Sequence, residues 1–100
     1  MDINKLMQQA QELQKQLQDA NAELNAMVFE GSASNGLVKV AVNGEYKIQS
    51  VTIDKSIIDP DDQDMLQDLI MIATNDAIAK VDDSKKNKFG SMASSMGLPL

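Results

Sequence analysis

Apolar residues open the chain in a strict rhythm, at Ile3, Leu6, Ala10, Leu13, Leu17, Ala20, Leu24 and Met27, with alternating steps of three and four. That spacing puts every one of them on one face of a helix, and a stripe sustained over several heptads is the pattern that winds helices together. Asp2 and Asn4 stand at the start, where a cap and a negative charge are favourable. The outer positions are rich in Gln, a solvated face. One amphipathic helix resting on its own sheet accounts for the stripe but not for its length. About 24 residues at roughly 1.5 Å each make a rod of about 36 Å, while three strands spaced about 4.8 Å apart make a sheet about 15 Å wide. The overhang calls for a second chain.

The period then changes to two. Met27-Val28-Phe29-Glu30 reads as a first strand, and Asn35-Gly36-Leu37-Val38-Lys39-Val40-Ala41-Val42-Asn43-Gly44 as a second with an Asn-Gly turn at each end. Asn-Gly is the strongest short hairpin signal, because a type I′ turn needs positive φ at both central residues. Tyr46-Lys47-Ile48 through Val51-Thr52-Ile53 supplies the third strand of a meander. Its apolar positions switch parity between Ile48 and Val51. Either a bulge near Gln49-Ser50 restores a common face, or the strand is buried on both faces. Gly31-Ser32-Ala33-Ser34 reads as a loop or flexible edge; it lacks the spaced glycines and Lys-Ser/Thr of a phosphate-binding loop.

A second helix starts legibly, with Asp59 as N-cap, Pro60 at the first helical position, and Asp61 and Asp62 against the dipole. Capping accounts for this acidic cluster, which lacks the ligand order and turn glycine of a calcium loop. Leu66, Ile70, Ala73, Ala77 and Val81 share one face, with Met65, Leu69 and Ile72 beside it. Such breadth suits a helix packed on a sheet and against another element too. Asp76 and Lys80 have the spacing of a surface ion pair, and no second group is available to make Asp76 catalytic. The expected fold is α+β in the order α-β-β-β-α, a three-stranded antiparallel meander flanked by two long helices. Residues 1–88 form one domain, and the Gly/Ser/Met-rich residues 89–100 a flexible tail.

Composition narrows the chemistry. There is no Cys and no His among the 100 residues, which excludes disulfides, Cys/His zinc sites, thiol nucleophiles and a Ser-His-Asp triad. No signal pattern and no apolar run near ~20 residues is present, so a cytoplasmic protein without membrane contact is expected. No enzyme activity, metal, cofactor or small-molecule substrate is expected either. The net charge of −6 is unevenly spread: residues 59–83 carry −7, whereas residues 84–100 carry +3 from Lys85, Lys86 and Lys88. All nine basic residues are Lys, so the usual bidentate reader of guanine and phosphate is missing. Any nucleic-acid contact must come from local Lys patches. The candidates are Lys80, Lys85, Lys86 and Lys88 at the end of the second helix, assisted by Lys5 and Lys15 on the first. Cations at a helix C-terminus also complement its dipole, so end stabilisation stays open as their role.

Several pieces, in order, resemble the YbaB/EbfC family of nucleoid-associated proteins. They are Gly36-Leu37-Val38-Lys39-Val40 ending at Asn43-Gly44, and Val51-Thr52-Ile53-Asp54 with Ile57-Ile58. Met65-Leu66-Gln67-Asp68-Leu69-Ile70 with Asn75-Asp76-Ala77, and Met96-Gly97-Leu98-Pro99, complete the set. The resemblance implies a bacterial intertwined homodimer whose strands associate across the two chains and whose paired helices project like tweezers. It implies binding of double-stranded DNA with little sequence preference, a place in the nucleoid, and recombination or replication proteins as further partners. Leu6, Leu13, Leu17, Leu24, Val40, Val42, Leu69 and Ile72 are then the expected dimer interface. The chain departs from the family pattern in its short acidic start and its Arg-free helix end, Lys80-Val81-Asp82-Asp83-Ser84-Lys85-Lys86. The acidic, all-Lys surface favours a second reading, a protein adaptor or a holdase resembling prefoldin; the residue-level match favours DNA binding.

Overall fold

A computed structural model of the chain describes residues 2–95. Helix α1 spans Ile3–Ala26, and the Asp2 carboxylate accepts the Asn4 amide at 3.0 Å as its cap. Of its apolar stripe only Ala20 and Leu24 are buried; Ile3, Leu6, Leu13, Leu17 and Met27 stay exposed, as does Met7 beside them. The expected overhang is therefore present, since one chain has nothing to lay against the first half of the helix.

Strands β1 (Val28–Ala33), β2 (Val38–Asn43) and β3 (Ile48–Ile53) form the antiparallel meander in the order β1-β2-β3. The first hairpin turns at Asn35 and Gly36, with φ of 55 and 87, closed by the Leu37 amide on the Ser34 carbonyl at 3.2 Å. Positive φ at both central positions is what Asn-Gly favours. The second hairpin departs from that expectation. The Tyr46 amide donates to the Asn43 carbonyl at 3.0 Å, and the left-handed residue is Tyr46 at φ 64. Gly44 serves contact instead: a Cβ there would overlap the Leu24 carbonyl at the end of α1.

Gly31, Ser32 and Ala33 also correct the reading, being part of β1 rather than a loop. Their smallness serves packing, because a Cβ on Gly31 would run into the backbone of Ala73 and Ala77. In β3 the bulge alternative is the one the chain takes. Val40 pairs with Val51 and Ala41 with Ser50, but Val42 pairs with Ile48, which leaves Gln49 as the extra residue. Ile48, Val51 and Ile53 thereby share the face of Val38, Val40 and Val42.

A short turn precedes the second helix, with Asp54 capping a 3₁₀ segment at Lys55–Ile57. Helix α2 runs from Gln63 to Ser95, starting later than Asp59. Asp59 and Pro60 build a preceding turn, in which the Asp61 and Asp62 amides donate to the Asp59 side chain and carbonyl at 2.9 and 3.0 Å. Asp62 does the capping, accepting the Met65 amide at 3.4 Å. At its other end α2 carries residues 89–95 of the expected tail as helix, while residues 96–100 lie outside the described residues.

Helix α2 packs chiefly on β1 and β2. Ala33, Val38, Val40, Val42, Ala73, Ala77 and Val81 are the buried core, flanked by half-buried Phe29, Ile53, Ile57, Leu69 and Ile70. Val40 and Val42, expected between chains, are therefore wholly enclosed within one chain, as is Leu24. With α1 projecting, the molecule measures 72 × 22 × 16 Å.

Candidate nucleic-acid interface

Two helices running in opposite directions carry the lysines. Lys88 Nζ lies 2.6 Å from the Glu23 carboxylate, and Ser91 and Met92 line a groove with Gln16, Asp19 and Ala20. Later residues of α2 thus meet earlier residues of α1, and the two helices form an antiparallel arm. The β2–β3 turn wedges in at its base, with Gly44 against α1 and Tyr46 against α2.

The structure separates the six expected DNA-contacting lysines into two sets. Lys80 is spent on the fold: it donates to the Glu30 carbonyl at 2.7 Å and pairs with Asp76 at 3.6 Å, while Asp76 accepts the Ser32 amide at 3.0 Å. The expected Asp76–Lys80 pair is present, and it also occupies backbone groups of edge strand β1. Lys88 is tied to α1 through Glu23. Lys85 sits over the Tyr46 ring, 4.2 Å from its centroid, a cation–π contact. Among the described residues Lys5, Lys15 and Lys86 carry no ion pair, and all three are exposed. Lys85, Lys86 and Lys88 stand together at the arm's base, whereas Lys5 lies toward the far end of α1.

Tyr46 was not singled out by its sequence position. Its hydroxyl donates to the Asp82 carboxylate; that bond holds its pKa above the ordinary 10.0, with desolvation and the charge of Asp82 adding. Nothing local signals the pairing, since 36 residues separate the partners. Glu23, the partner of Lys88, is equally silent in the sequence. At the other end of β3 the Ser56 amide, then the Ser56 hydroxyl, hold the Asp54 carboxyl below its ordinary 3.8 against a small opposing desolvation.

Of the eight expected interface residues, Leu6, Leu13, Leu17 and Ile72 remain exposed and Leu69 is half-buried. The side of β3 away from β2 is open, and residues 48–52 are exposed throughout. No cluster of three or more His, Cys, Asp or Glu suited to a metal occurs among the described residues. Among them also, no helix is long and apolar enough to cross a membrane.

The model of the YbaB/EbfC DNA-binding family matches residues 1–96. A nucleoid-associated protein of Corynebacterium kroppenstedtii is 43% identical over 96 residues, covering 96% of each chain. One from Clostridium novyi is 40% identical across 99% of this chain and 87% of its own. One from Lysinibacillus sphaericus is 47% identical across 77% of this chain and 74% of its own. The crystal structure of an uncharacterised Helicobacter pylori protein shares the fold, with TM-score 0.76, 24% identity and coverage of 92% of this chain and 97% of that one.

Proposed function

The chain belongs to the YbaB/EbfC DNA-binding family, not an enzyme family, and from that premise we propose that it is a nucleoid-associated protein binding double-stranded DNA as a homodimer with little sequence preference. The observation that carries this reading is the extent of the family match, which runs through both helices and the whole sheet. Relatives at 40–47% identity are named nucleoid-associated proteins. Lys86, Lys5 and Lys15 are the foremost phosphate contacts, being exposed and unpaired among the described residues. Lys85 and Lys88 join them at the same end of α2, while Lys80 has the least to offer. Without a single Arg, the protein lacks the main guanine reader, and contact falls on the phosphate backbone.

Dimerisation is supported by two uncovered surfaces. The stripe of Leu6, Leu13 and Leu17 is exposed in one chain, as are Ile48 and Val51 on β3. The edge of β1 has its Glu30 carbonyl and Ser32 amide taken by α2 side chains, which leaves β3 as the edge able to pair with a second sheet. Nucleoid organisation, gene regulation or recombinational repair is the setting in which such a dimer acts, with recombination or replication proteins as its neighbours.

A titration of duplex DNA at several salt concentrations tests the reading. Touching on the order of four to six phosphates per dimer, the protein should give a log-log salt slope of about −4 to −5 and similar affinity for unrelated sequences. Charge reversal at Lys5, Lys15 and Lys86, which are exposed and unpaired among the described residues, should abolish binding with circular dichroism and dimer mass unchanged. Failure of the unaltered protein to retard any duplex at ~50 mM salt and micromolar concentration would overturn the DNA role and leave the adaptor or holdase reading standing.

A further inference from the structure

We propose that Tyr46 keeps Lys86 available to a DNA phosphate by drawing Asp82, the acid one helical turn before it, into a hydrogen bond with the Tyr46 hydroxyl. This rests on the DNA-binding reading above and assigns a positioning role to a residue outside the helices that carry the lysines. Asp82 and Lys86 stand at i and i+4 on α2, the acid on the N-terminal side, which is the favourable orientation for a helical ion pair. At identical spacing Asp76 and Lys80 do pair, 3.6 Å apart, with both side chains drawn to the same side by β1 through the Ser32 amide and the Glu30 carbonyl. Asp82 behaves differently. It accepts the Tyr46 hydroxyl, and neither it nor Asp83 comes within ion-pairing distance of Lys86 among the described residues.

Tyr46 is held for this task from three sides. It takes a left-handed backbone conformation at φ 64, its amide closes the turn onto Asn43 at 3.0 Å, and Lys85 Nζ lies 4.2 Å above its ring. A bulky residue adopts positive φ only where its surroundings enforce it. The adjacent Gly44 fixes the turn against α1, so the hydroxyl reaches Asp82 from a platform anchored on both helices. The acid is thereby turned toward the hairpin, while exposed Lys86 keeps its charge for solvent-side anions.

A double-mutant cycle on the full chain tests this. Tyr46→Phe keeps the ring under Lys85 and removes only the bond to Asp82. It should weaken duplex binding roughly tenfold at ~50 mM salt and make the salt slope shallower by about one for each Lys86 lost to pairing. Asp82→Asn in that background should restore affinity and slope, whereas in the unaltered protein it should give only the small gain that Asp83→Asn gives. Tyr46→Phe binding with unchanged affinity and slope, or an equal gain from Asp82→Asn in both backgrounds, overturns the proposal while leaving DNA binding intact. Absence of binding by the unaltered protein overturns both together. Tyr46 is the single tyrosine and there is no Trp, so its ultraviolet ionisation is read directly without DNA. Asp82→Asn should bring its pKa down toward the ordinary value, and an unaltered protein already titrating at that value would also overturn the proposal.

Discussion

Gly31 and Gly36 sit five residues apart around one hairpin for unlike reasons. Gly36 takes φ 87, and a Cβ there would meet only the flexible Lys39 side chain, at 3.4 Å, so Gly36→Ala meets chiefly backbone strain, about 1 kcal/mol. Gly31→Ala must push β1 off the backbone of Ala73 and Ala77, and should cost about 2–3 kcal/mol as an overpacked contact. Urea unfolding of the two variants should show the larger loss at Gly31, at unchanged slope. Two titrating side chains set opposite edges of the stability profile. The lowered Asp54 carboxyl contributes stability that is present above about pH 3.8 and lost as pH falls through its folded value. The raised Tyr46 hydroxyl contributes stability present below about pH 10 and lost as pH rises through its folded value. Asp54→Asn should therefore flatten the acid limb of a stability–pH curve, and Tyr46→Phe the limb above pH 10; unchanged limbs would count against these bonds.

At the scale of elements, the start of α2 shows how several plausible caps compete. Asp59-Pro60 has the marks of a helix start, yet a tight turn uses the same residues: Asp favours the first position of such a turn and Pro the second. The chain closes that turn first and leaves the cap to Asp62. Asp62→Ala should accordingly cost about 1 kcal/mol, and Asp59→Ala clearly less; thermal melts giving the reverse order would place the cap at Asp59 instead. The bulge at Gln49 has a comparable logic. Without it, Ile48 and Val51 would face opposite sides of the sheet; with it, both join the face of Val40 and Val42. Deleting Gln49 should therefore give an even ladder with Ile48 still opposite Val42 and Val51 opposite Val40, leaving the sheet folded. Loss of hydrogen-exchange protection in β3 on that deletion would count against Gln49 as the extra residue.

For the whole molecule, the central quantity is apolar surface that one chain leaves in water. Ile3, Leu6, Met7, Leu13 and Leu17 on α1, and Ile48 and Val51 on β3, are all exposed, an unfavourable arrangement for a chain of 10.9 kDa with a small core. Placing Lys at both Leu13 and Leu17 puts charge into the proposed shared seam, so the double variant should dissociate or unfold. Sedimentation of the unaltered protein should give twice the chain mass of 10.9 kDa. A concentration-independent monomer with full helicity would end the dimer reading.

The elements are local in origin. Their order, the period-two strands, the Asn35-Gly36 turn and the α1 stripe follow from side-chain periodicity and backbone preferences acting over a few residues, and are therefore legible along the chain. Whatever depends on distant neighbours is settled only by packing. Gly31-Ser32-Ala33 reads as a loop locally and becomes strand because α2 needs small residues to approach β1. Val40 and Val42 look like surface for a partner until α2 is laid over them. The lysines divide in the same way. Six charges of one kind are equivalent in a sequence; Glu23, Glu30 and Tyr46, brought to them across 39 to 65 residues of chain, make Lys80, Lys85 and Lys88 parts of the scaffold and leave Lys86 exposed. Charge pairing is a matter of distances of a few ångströms, and those exist only after the chain has packed.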